Sequence, residues 1–226
     1  MKTVCAIIQA RMGSTRLPGK VLKELSGKPV LGHIIDRLQL CKHIDWILVA
    51  TSTHVLDDQI VTFCKKYKTL FYRGDEDDVL KRYCAAVREC GSDVIVRITA
   101  DNCLIDPKII DEMVKAHIND SYDYTCIKNL SCVAGEVINS EALKKASELT
   151  QKAYDREHVT PFLREHPDLF KVKELPEDFS GIPPKAPLTI DTPRDFEFIK
   201  KIYSLFYPGE GIVDNQKVYN YLNQLK

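Results

Sequence analysis

The feature that most constrains this chain is a short, largely apolar run that leads directly into a basic, glycine-containing loop. Residues 3–8 (TVCAII) form the run, and residues 9–20 (QARMGSTRLPGK) form the loop. The run predicts a buried strand of a parallel sheet. The loop would then leave the carboxyl end of that strand, which is the edge at which open α/β sheets bind their ligands.

The loop carries the groups that a bound polyphosphate needs, namely backbone N–H groups that converge and cations that spread its charge. Residues 13–15 (GST) offer the first, and Arg11, Arg16 and Lys20 offer the second. An ordinary surface loop with basic residues explains the same sequence equally well. Neither GxxxxGK[ST] nor GxGxxG is present, so the loop is not of the Walker or dinucleotide-binding type.

The order of a strand followed by a helix recurs along the chain, which predicts an α/β fold. Apolar runs predict further strands at residues 46–50, 69–72, 93–98 and 188–190. Apolar spacing and capping residues predict helices after Pro29, over 57–66, from the acidic run 75–78 onward, after Asp106, after Thr192 and over 213–225. Within the acidic run, Asp75 and Glu76 are interpreted as first-turn carboxylates that suit the helix dipole.

The middle of the chain, residues 121–186, breaks this rhythm. Strands are predicted at 122–127, 132–138 and 170–175, helices at 140–149 and 155–164, and a proline-rich loop at 176–187. We interpret this region as an elaboration that carries acceptor contacts and a dimer surface. The chain is predicted to be a single domain, 1–226, whose nucleotide-binding part is about 1–120 plus 187–226.

Three predicted strands end in polar residues at the edge that carries the loop. Thr51 follows the strand 46–50, Asp101 follows 93–98, and Asp191 follows 188–190. Two carboxylates together with triphosphate oxygens are a typical magnesium environment, so Asp101 and Asp191 are predicted metal ligands. Taken singly, either aspartate is more typical of a turn or a cap, and Thr51 is at least as typical of a turn as of a ligand contact.

The composition argues against several classes of function. Lysine plus arginine and aspartate plus glutamate number 32 each, so net charge gives no attraction to nucleic acid or to a membrane. No apolar run approaches the ~20 residues of a membrane span and no secretory signal opens the chain, which predicts a cytoplasmic protein. The eight cysteines are dispersed without a CxxC pair, so we expect neither disulfides, structural zinc nor thiol catalysis.

Five segments, in this order, are typical of a known family. They read QARMGSTRLPGKVL, RGDEDDVLKRY, RITADNCLIDP, REHVTPFL and LTIDTPRDFE, and the matches run from about residue 4 to about residue 199. They resemble the cytidylyltransferase family of the spore-coat polysaccharide protein SpsF, whose wider relatives are the CMP-sugar synthetases, including the CMP-Kdo enzyme. Because the segments cover almost the whole chain, the resemblance applies to the fold as well as to the site.

The resemblance implies a Rossmann-like nucleotidyltransferase, similar to the nucleotide-diphosphosugar transferases, with a mixed, mostly parallel sheet sandwiched by helices. It implies a cytidylyltransferase that serves surface polysaccharide or glycoconjugate biosynthesis. The implied cofactor is Mg²⁺, the substrates are CTP and a small anionic acceptor such as a sugar acid, and the implied assembly is a homodimer.

The same resemblance assigns the site. Asp101, Lys20, Arg11 and Arg16 are the implied catalytic residues, and Asp101 with Asp191 would hold magnesium. Cytosine discrimination is placed around residues 73–82, with Arg82 projecting from a neighbouring face of its helix. The full set of implied nucleotide contacts is Gln9, Ala10, Arg11, Gly13, Ser14, Arg16, Lys20, Thr51, Arg73, Gly74, Val79 and Arg82.

Acceptor recognition is the least determined part of the resemblance. Arg156, Glu157 and His158 match the segment REHVTP and are candidate acceptor contacts, although the polar start of a helix that faces solvent or another subunit explains them slightly better. Many relatives read DCPLIDP where this chain has Asn102 after Asp101, and GLDVEVF where it offers only residues 135–137 (GEV). Acceptor contacts are therefore expected to differ.

The implied reaction is attack of an acceptor oxygen on the α-phosphorus of CTP, with pyrophosphate as the leaving group. Positioning and charge neutralisation would supply the catalysis. Two alternatives stay open. A nucleotide-sugar glycosyltransferase of the same fold would require a DxD pair, which residues 101–103 (DNC) do not supply, and a non-catalytic nucleotide-binding module would have no need of Asp101, Asp191 and Lys20 together.

Overall fold

The computed structural model describes residues 2–128, 130–176 and 187–225. Its strands are β1 (Val4–Gln9), β2 (Glu24–Leu25), β3 (Lys28–Pro29), β4 (Trp46–Ser52), β5 (Leu70–Gly74), β6 (Val94–Thr99), β7 (Tyr124–Ile127), β8 (Glu136–Asn139) and β9 (Val172–Leu175). Its helices are α1 (Val30–Leu38), α2 (Asp58–Tyr67), α3 (Val79–Cys90), α4 (Pro107–Asn119), α5 (Ser131–Ala134), α6 (Ser140–Leu149), α7 (Ala153–His158), α8 (Pro161–Glu165), α9 (Pro193–Phe206) and α10 (Asn215–Gln224).

A seven-stranded sheet organises these elements in the order β5-β4-β1-β6-β8-β7-β9. The pairs β5/β4, β4/β1 and β1/β6 are parallel, and so is β7/β9, whereas β8 runs antiparallel to both β6 and β7. This arrangement confirms the mixed, mostly parallel sheet. The strands of residues 121–186 join the same sheet as those of the nucleotide-binding part.

Strand β1 shows why helices cover both faces of the sheet. Because successive side chains of a strand point to opposite faces, Val4, Ala6 and Ile8 enter one core and Cys5 and Ile7 enter the other. Helices α1, α2, α4, α9 and α10 pack in the first core, and helices α3, α6 and α8 pack in the second. All eight cysteines are free thiols, and five of them are buried among these apolar side chains.

The predicted strand 132–138 is wrong in its first half. Residues 131–134 form the short helix α5, and strand β8 begins only at Glu136. The break falls at Gly135, which has φ +67° and lies so close to β6 that a Cβ would meet the Arg97 carbonyl oxygen at 2.5 Å. A short apolar run does not distinguish a buried helix from a buried strand, and here glycine decides where one ends and the other begins.

The predicted helix 155–164 is two helices. Helix α7 ends at His158, Val159 has φ +73°, and α8 starts with Pro161 at its first position. Proline lacks the N–H that a continuous helix needs, so it begins a new helix instead. His158 therefore ends one helix, and Thr160 is the N-cap of the next.

Two boundaries near the predicted site also differ. Strand β5 continues through Arg73 to Gly74, and α3 begins at Val79 with Asp78 as its N-cap, so Asp75 and Glu76 precede the helix and do not lie in its first turn. Asp75 instead accepts the N–H groups of residues 77 and 78. Residues 188–190 form no strand, although the Ile190 N–H bonds to the Asp101 carbonyl at 2.9 Å.

Most of the predicted loop 176–187 lies outside the described residues. In the described parts of the chain, no helix has the length and apolar character needed to cross a membrane. The single-domain assignment and the homodimer stay predictions.

Candidate active site

The strands place their carboxyl ends at one edge of the sheet. Gln9, the last residue of β1, pairs with Ala50 of β4 on one side and with Thr99 of β6 on the other. The loop after β1 and the turn after β6 therefore start next to each other, as the parallel order requires. Residues that are 90 positions apart in sequence meet because of this register.

The loop is folded around one carbonyl group. The Met12 carbonyl accepts the N–H groups of Ser14 at 2.9 Å and Gly19 at 3.0 Å. Gly19 has φ +69°, a left-handed conformation that suits glycine, and a short 3₁₀ turn, Lys20–Leu22, follows it. This fold returns Lys20 to the sheet edge, while the Ser14 N–H is already used inside the loop.

The Lys20 ammonium joins the two predicted metal ligands. Its Nζ lies 2.9 Å from Asp101 Oδ2 and 3.2 Å from Asp191 Oδ1, and it donates to the Ile190 carbonyl at 2.7 Å. The Lys20 side chain is 13% exposed, against 21% for Asp101 and 37% for Asp191. The structure therefore brings together three residues that the sequence prediction places at one edge of the sheet.

Asp191 is placed by the start of helix α9. Thr192 caps that helix, Pro193 is its first residue, and the Thr192 hydroxyl and the Asp195 carboxylate form a reciprocal capping box. The same Asp195 carboxylate accepts the Asp191 N–H at 3.1 Å. The predicted cap is confirmed, and it fixes the backbone that carries Asp191 even though no strand precedes it.

The turn after β6 is held by Asn102, the residue at which this chain departs from the family pattern. Its amide donates to the Thr99 hydroxyl at 2.8 Å and its carbonyl accepts from the Thr189 hydroxyl at 2.8 Å. Asn102 thus connects the Asp101 turn to the segment that leads to Asp191. The departure from the family pattern at Asn102 leaves Asp101 at the sheet edge.

A cavity of about 310 Å³ opens at this edge. Ten residues of the predicted site line it, namely Gln9, Arg11, Ser14, Arg16, Lys20, Val79, Asp101, Glu157, His158 and Asp191. Arg16 reaches Asp191 Oδ1 at 3.0 Å from the solvent side, with its own side chain 64% exposed. The cavity therefore brings together the loop, both aspartates and two of the three acceptor candidates.

Besides Arg82, five predicted nucleotide contacts do not line this cavity. Arg73 pairs with Asp58 at 2.6 Å and donates to the Ser52 and His54 carbonyls at 2.9 and 3.0 Å, so it clamps the segment after β4. Thr51 is fully buried, and its hydroxyl has no hydrogen-bond partner among the described residues. The remaining three are Ala10, Gly13 and Gly74.

Arg82 does not project from its helix as expected, because it is buried beneath the turn that precedes α3. Its Nη1 donates to the Asp75 and Glu76 carbonyls, while Nε and Nη2 have no partner among the described residues. Burial lowers the pKa of the Arg82 guanidinium, and Arg11 nearby lowers it further. Gly74 makes room for it, since a Cβ there would lie 2.8 Å from Arg82 Cγ.

Arg156 lines neither the cavity at the sheet edge nor a smaller cavity beside it. Its guanidinium pairs with Asp78 at 2.7 Å and donates to the Ser147 and Thr150 carbonyls at 3.1 and 3.0 Å. These contacts tie α7 to the N-cap of α3. Of the three acceptor candidates, Glu157 and His158 face the cavity, and Arg156 serves the packing behind them.

The sequence interpretation missed a buried ion pair at the back of the cavity. Arg97 Nη1 lies 2.5 Å from Glu136 Oε2, and Glu136 Oε1 accepts from the hydroxyls of Tyr124 and Thr160. Burial lowers the pKa of Arg97, but the negative charge of Glu136 outweighs it and leaves that pKa raised. Burial raises the pKa of Glu136, but the positive charge of Arg97 and the hydrogen bonds to the carboxylate leave that pKa lowered. A second cavity, of about 220 Å³, shares Arg97 and His158 with the first and also contacts Arg164.

Asp57 was also missed. It is buried, and its carboxylate accepts the Met12 N–H at 2.7 Å, the Ser52 hydroxyl at 2.6 Å and the Ser52 N–H at 3.1 Å. It therefore joins the loop to the end of β4. The only sequence signal was its position at the predicted start of a helix, which is equally typical of a cap.

Asp101 and Asp191 fit a divalent cation as a pair, because they already share one cation in Lys20. Within residues 2–128, 130–176 and 187–225, no group of three or more histidine, cysteine or acidic side chains could hold a metal by itself. Magnesium favours one or two carboxylates together with substrate phosphates and water. The residues present suit a metal that nucleotide phosphates help to hold.

Comparisons with known proteins find relatives that match almost the whole chain. The sequence model of a family described as cytidylyltransferase matches residues 5–224. The chain is 40% identical over 212 residues to the spore coat polysaccharide biosynthesis protein SpsF of Bacillus subtilis, covering 90% of this chain and 87% of that protein. A solved cytidylyltransferase from Leptospira borgpetersenii superposes with a TM-score of 0.85 at 32% identity, covering 93% and 90% of the two chains.

A more distant structure supports the fold alone. The CMP:2-keto-3-deoxy-manno-octonic acid synthetase complexed with CTP has a TM-score of 0.70 at 14% identity, covering 90% of this chain and 99% of that one. At this identity the agreement concerns the arrangement of strands and helices.

Proposed function

Since this chain belongs to the cytidylyltransferase family and is a nucleotidyltransferase, we propose that it transfers CMP from CTP to a sugar acid or another small anionic acceptor, with Mg²⁺ as cofactor and release of pyrophosphate. Because the chain belongs to this family, the alternative of a nucleotide-sugar glycosyltransferase has no observation in its favour. By analogy with the spore coat polysaccharide protein, the product would serve the synthesis of a surface polysaccharide or glycoconjugate. We place the reaction in the cytoplasm, where CTP is available.

The observation that carries the proposal is the contact of Lys20 with Asp101 and Asp191 at the wall of a cavity that the basic loop also lines. A phosphoryl group needs cations on its oxygens and a metal site that neutralises developing charge. Cations and a pair of carboxylates that suit a metal line one cavity at the carboxyl edge of the sheet. A binding module without catalysis would have no need of paired carboxylates next to the cations.

The proposed reaction forms a bond between an acceptor oxygen and the α-phosphorus and breaks the bond from that phosphorus to the bridging oxygen of pyrophosphate. Arg11 and Arg16, both exposed at the cavity, would bind the leaving pyrophosphate with Lys20. Asp101 and Asp191 would hold the metal, which supplies charge stabilisation on the α-phosphoryl group. The loop, held by Asp57 and the Met12 carbonyl, would orient the chain of phosphates.

The acceptor would enter from the side of the second cavity. Its lining includes Arg97, Arg164 and His158, and Arg97 is neutralised by Glu136. Arg164 and His158 therefore remain as the groups that favour an anionic acceptor. Glu157, at the wall of the first cavity, would contact a hydroxyl of the acceptor or a metal-bound water.

Release of pyrophosphate tests the proposal directly. Purified protein would be incubated with Mg²⁺ and each of the four common nucleoside triphosphates, with and without a panel of sugar acids, sugar phosphates and phosphonates. We expect release with CTP that depends on both Mg²⁺ and one acceptor class. Release that is equal for all triphosphates, or transfer of a sugar from a CMP-sugar in place of pyrophosphate release, would contradict it.

A further inference from the structure

Lys20 has no donor left for a phosphate in this structure. A lysine ammonium has three N–H donors, and those of Lys20 are directed at Asp101 Oδ2, Asp191 Oδ1 and the Ile190 carbonyl. The side chain is 13% exposed, so solvent reaches it poorly. The geometry is that of a cation that neutralises two carboxylates.

This arrangement conflicts with a site in which Asp101 and Asp191 bind a divalent cation while Lys20 stays in place. If Lys20 stays between the aspartates, its ammonium occupies the position that a divalent cation bound to Asp101 Oδ2 and Asp191 Oδ1 would take. If Lys20 were absent, two partly buried carboxylates would face each other without a counterion, which is costly. A cation must therefore occupy this position at every stage of the reaction, and before nucleotide arrives that cation is Lys20.

We propose that Lys20 holds the place of the divalent cation in the nucleotide-free enzyme, so that the enzyme takes the metal only together with the nucleotide. This inference rests on the proposed function, because the triphosphate is what draws Lys20 away. The phosphates offer Lys20 negative charge at the same cavity, and the accompanying metal takes over Asp101 and Asp191. Neither the carboxylates nor the lysine is left unpaired during the exchange.

Arg16 cannot play this part, although it also contacts Asp191. Its side chain is 64% exposed, and it meets only one of the two carboxylates, from the solvent side. Lys20 contacts both carboxylates and also donates to the carbonyl of Ile190. The N–H of Ile190 in turn donates to the Asp101 carbonyl. The backbone around Ile190 thus fixes the distance between the two aspartates while the cation changes.

Binding of Mn²⁺ to the nucleotide-free protein, followed by electron paramagnetic resonance, tests the proposal. The variant Lys20→Met keeps most of the length of the side chain and removes its charge. We expect it to bind Mn²⁺ about tenfold more tightly than the wild type, because the two carboxylates lose their resident cation. Lys20→Arg, which keeps a cation, should bind Mn²⁺ as weakly as the wild type.

Two controls make the result specific. Lys23→Met removes an exposed cation three positions away, one that lies over the Phe196 ring, and should leave Mn²⁺ affinity unchanged. The double variant Lys20→Met with Asp101→Asn should lose the gained affinity. An unchanged Mn²⁺ affinity in a Lys20→Met protein whose circular dichroism matches the wild type would overturn the proposal, as would tight Mn²⁺ binding by the wild type.

The test does not depend on turnover. If Lys20→Met unfolds, Lys20→Gln provides the same loss of charge with a polar side chain, and the same comparison applies. Failure of CTP-dependent pyrophosphate release by the wild type would contradict the proposed function, whereas the Mn²⁺ titration of nucleotide-free protein would still report on Lys20. The two results can therefore be separated.

Discussion

Charges are used differently in the two halves of the sheet. At the ends of the parallel strands, Lys20, Asp101 and Asp191 lie at a cavity wall with side chains 13 to 37% exposed. In the antiparallel extension, Glu136 is 7% exposed and its carboxylate is held by Arg97, Tyr124 and Thr160. The first group can exchange partners with a ligand, whereas the second is already satisfied.

This difference shows how one sheet separates binding from support. Partly exposed ion pairs contribute little to stability but are available to substrate. A buried ion pair is costly to break because one charge would remain unpaired. We therefore expect substitutions among the parallel strand ends to change nucleotide chemistry, and substitutions in the extension to change stability and acceptor use.

The largest effect is expected from Asp101→Asn. The amide keeps the shape but removes the charge that would hold the metal, so turnover should fall about a thousandfold while CTP affinity stays within a few-fold. Pyrophosphate release and calorimetric titration with CTP measure the two quantities. Asp93→Asn, next to the opposite end of β6, removes the carboxylate that holds Thr3 and serves as the control. Unchanged magnesium-dependent turnover in Asp101→Asn would refute its role.

Glu136→Gln should give the largest loss of stability. Because Arg97 would keep its charge without a counterion, we expect the free energy of unfolding to fall by about 3 kcal/mol. Urea denaturation monitored by fluorescence measures it. The pKa of Glu136 lies below its ordinary 4.5, so its contribution is present at neutral pH and is lost as pH falls through the folded-state pKa. A loss no larger than that of an exposed pair would contradict the contrast between the two halves.

Mild acid should destabilise the fold through two buried histidines. Burial lowers the pKa of His33 and of His117 from 6.5 to about 4. As pH falls through 6.5, both histidines are protonated in the unfolded chain but stay neutral in the folded chain. Each histidine should therefore lower the free energy of unfolding by about 2 kcal/mol between pH 7 and pH 5. Denaturation midpoints measured at both values test this.

The variant His117→Gln sharpens the acid prediction. His117 Nδ1 lies 2.9 Å from the Thr125 hydroxyl, and glutamine can replace that hydrogen bond without titrating. The variant should lose less stability than the wild type between pH 7 and pH 5. An identical pH dependence in the two proteins would remove His117 from the explanation.

A smaller effect is expected from Asp57→Asn. Asp57 accepts from Met12 with one oxygen and from Ser52 with the other, whereas asparagine keeps only one acceptor oxygen, so the substitution should loosen the loop and weaken CTP binding about tenfold. Asp155→Asn is the matched control, since Asp155 is equally buried and its carboxylate accepts from the Thr150 hydroxyl in the extension. Calorimetry should show weaker CTP binding for Asp57→Asn alone. Equal affinity in both variants would reduce Asp57 to a structural residue.

The parallel half could be predicted from sequence because its chemistry follows local rules. Apolar runs fix the strands and parallel pairing brings their carboxyl ends together, so that Asp101 after β6 meets Lys20 from the loop after β1. Asp191 follows an apolar run that forms no strand, but it precedes a helix whose start the sequence predicts. The capping box at Thr192 and the cap at Asp106 are equally local. Arg82 and Arg73 were assigned to the nucleotide because the sequence shows their motif but not their burial or their carbonyl partners.

The extension could not be predicted in the same way. Its ion pair joins Arg97, which looked like one more residue of a buried strand, to Glu136, which follows a glycine whose left-handed backbone no periodicity reveals. Thr160 becomes its third partner only because the predicted helix breaks at Val159. Such contacts depend on tertiary packing and override local propensity.

Calorimetric titration of Mg²⁺ and CTP into the wild type, Lys20→Met and Glu136→Gln, each first shown to be folded, separates nucleotide binding from support in this sheet. We expect that the wild type binds CTP, that Lys20→Met binds it at least about tenfold more weakly, and that Glu136→Gln stays within about twofold despite its lower stability. Equal losses in both variants, or a loss confined to Glu136→Gln, would contradict the assignment of the nucleotide to the parallel strand ends.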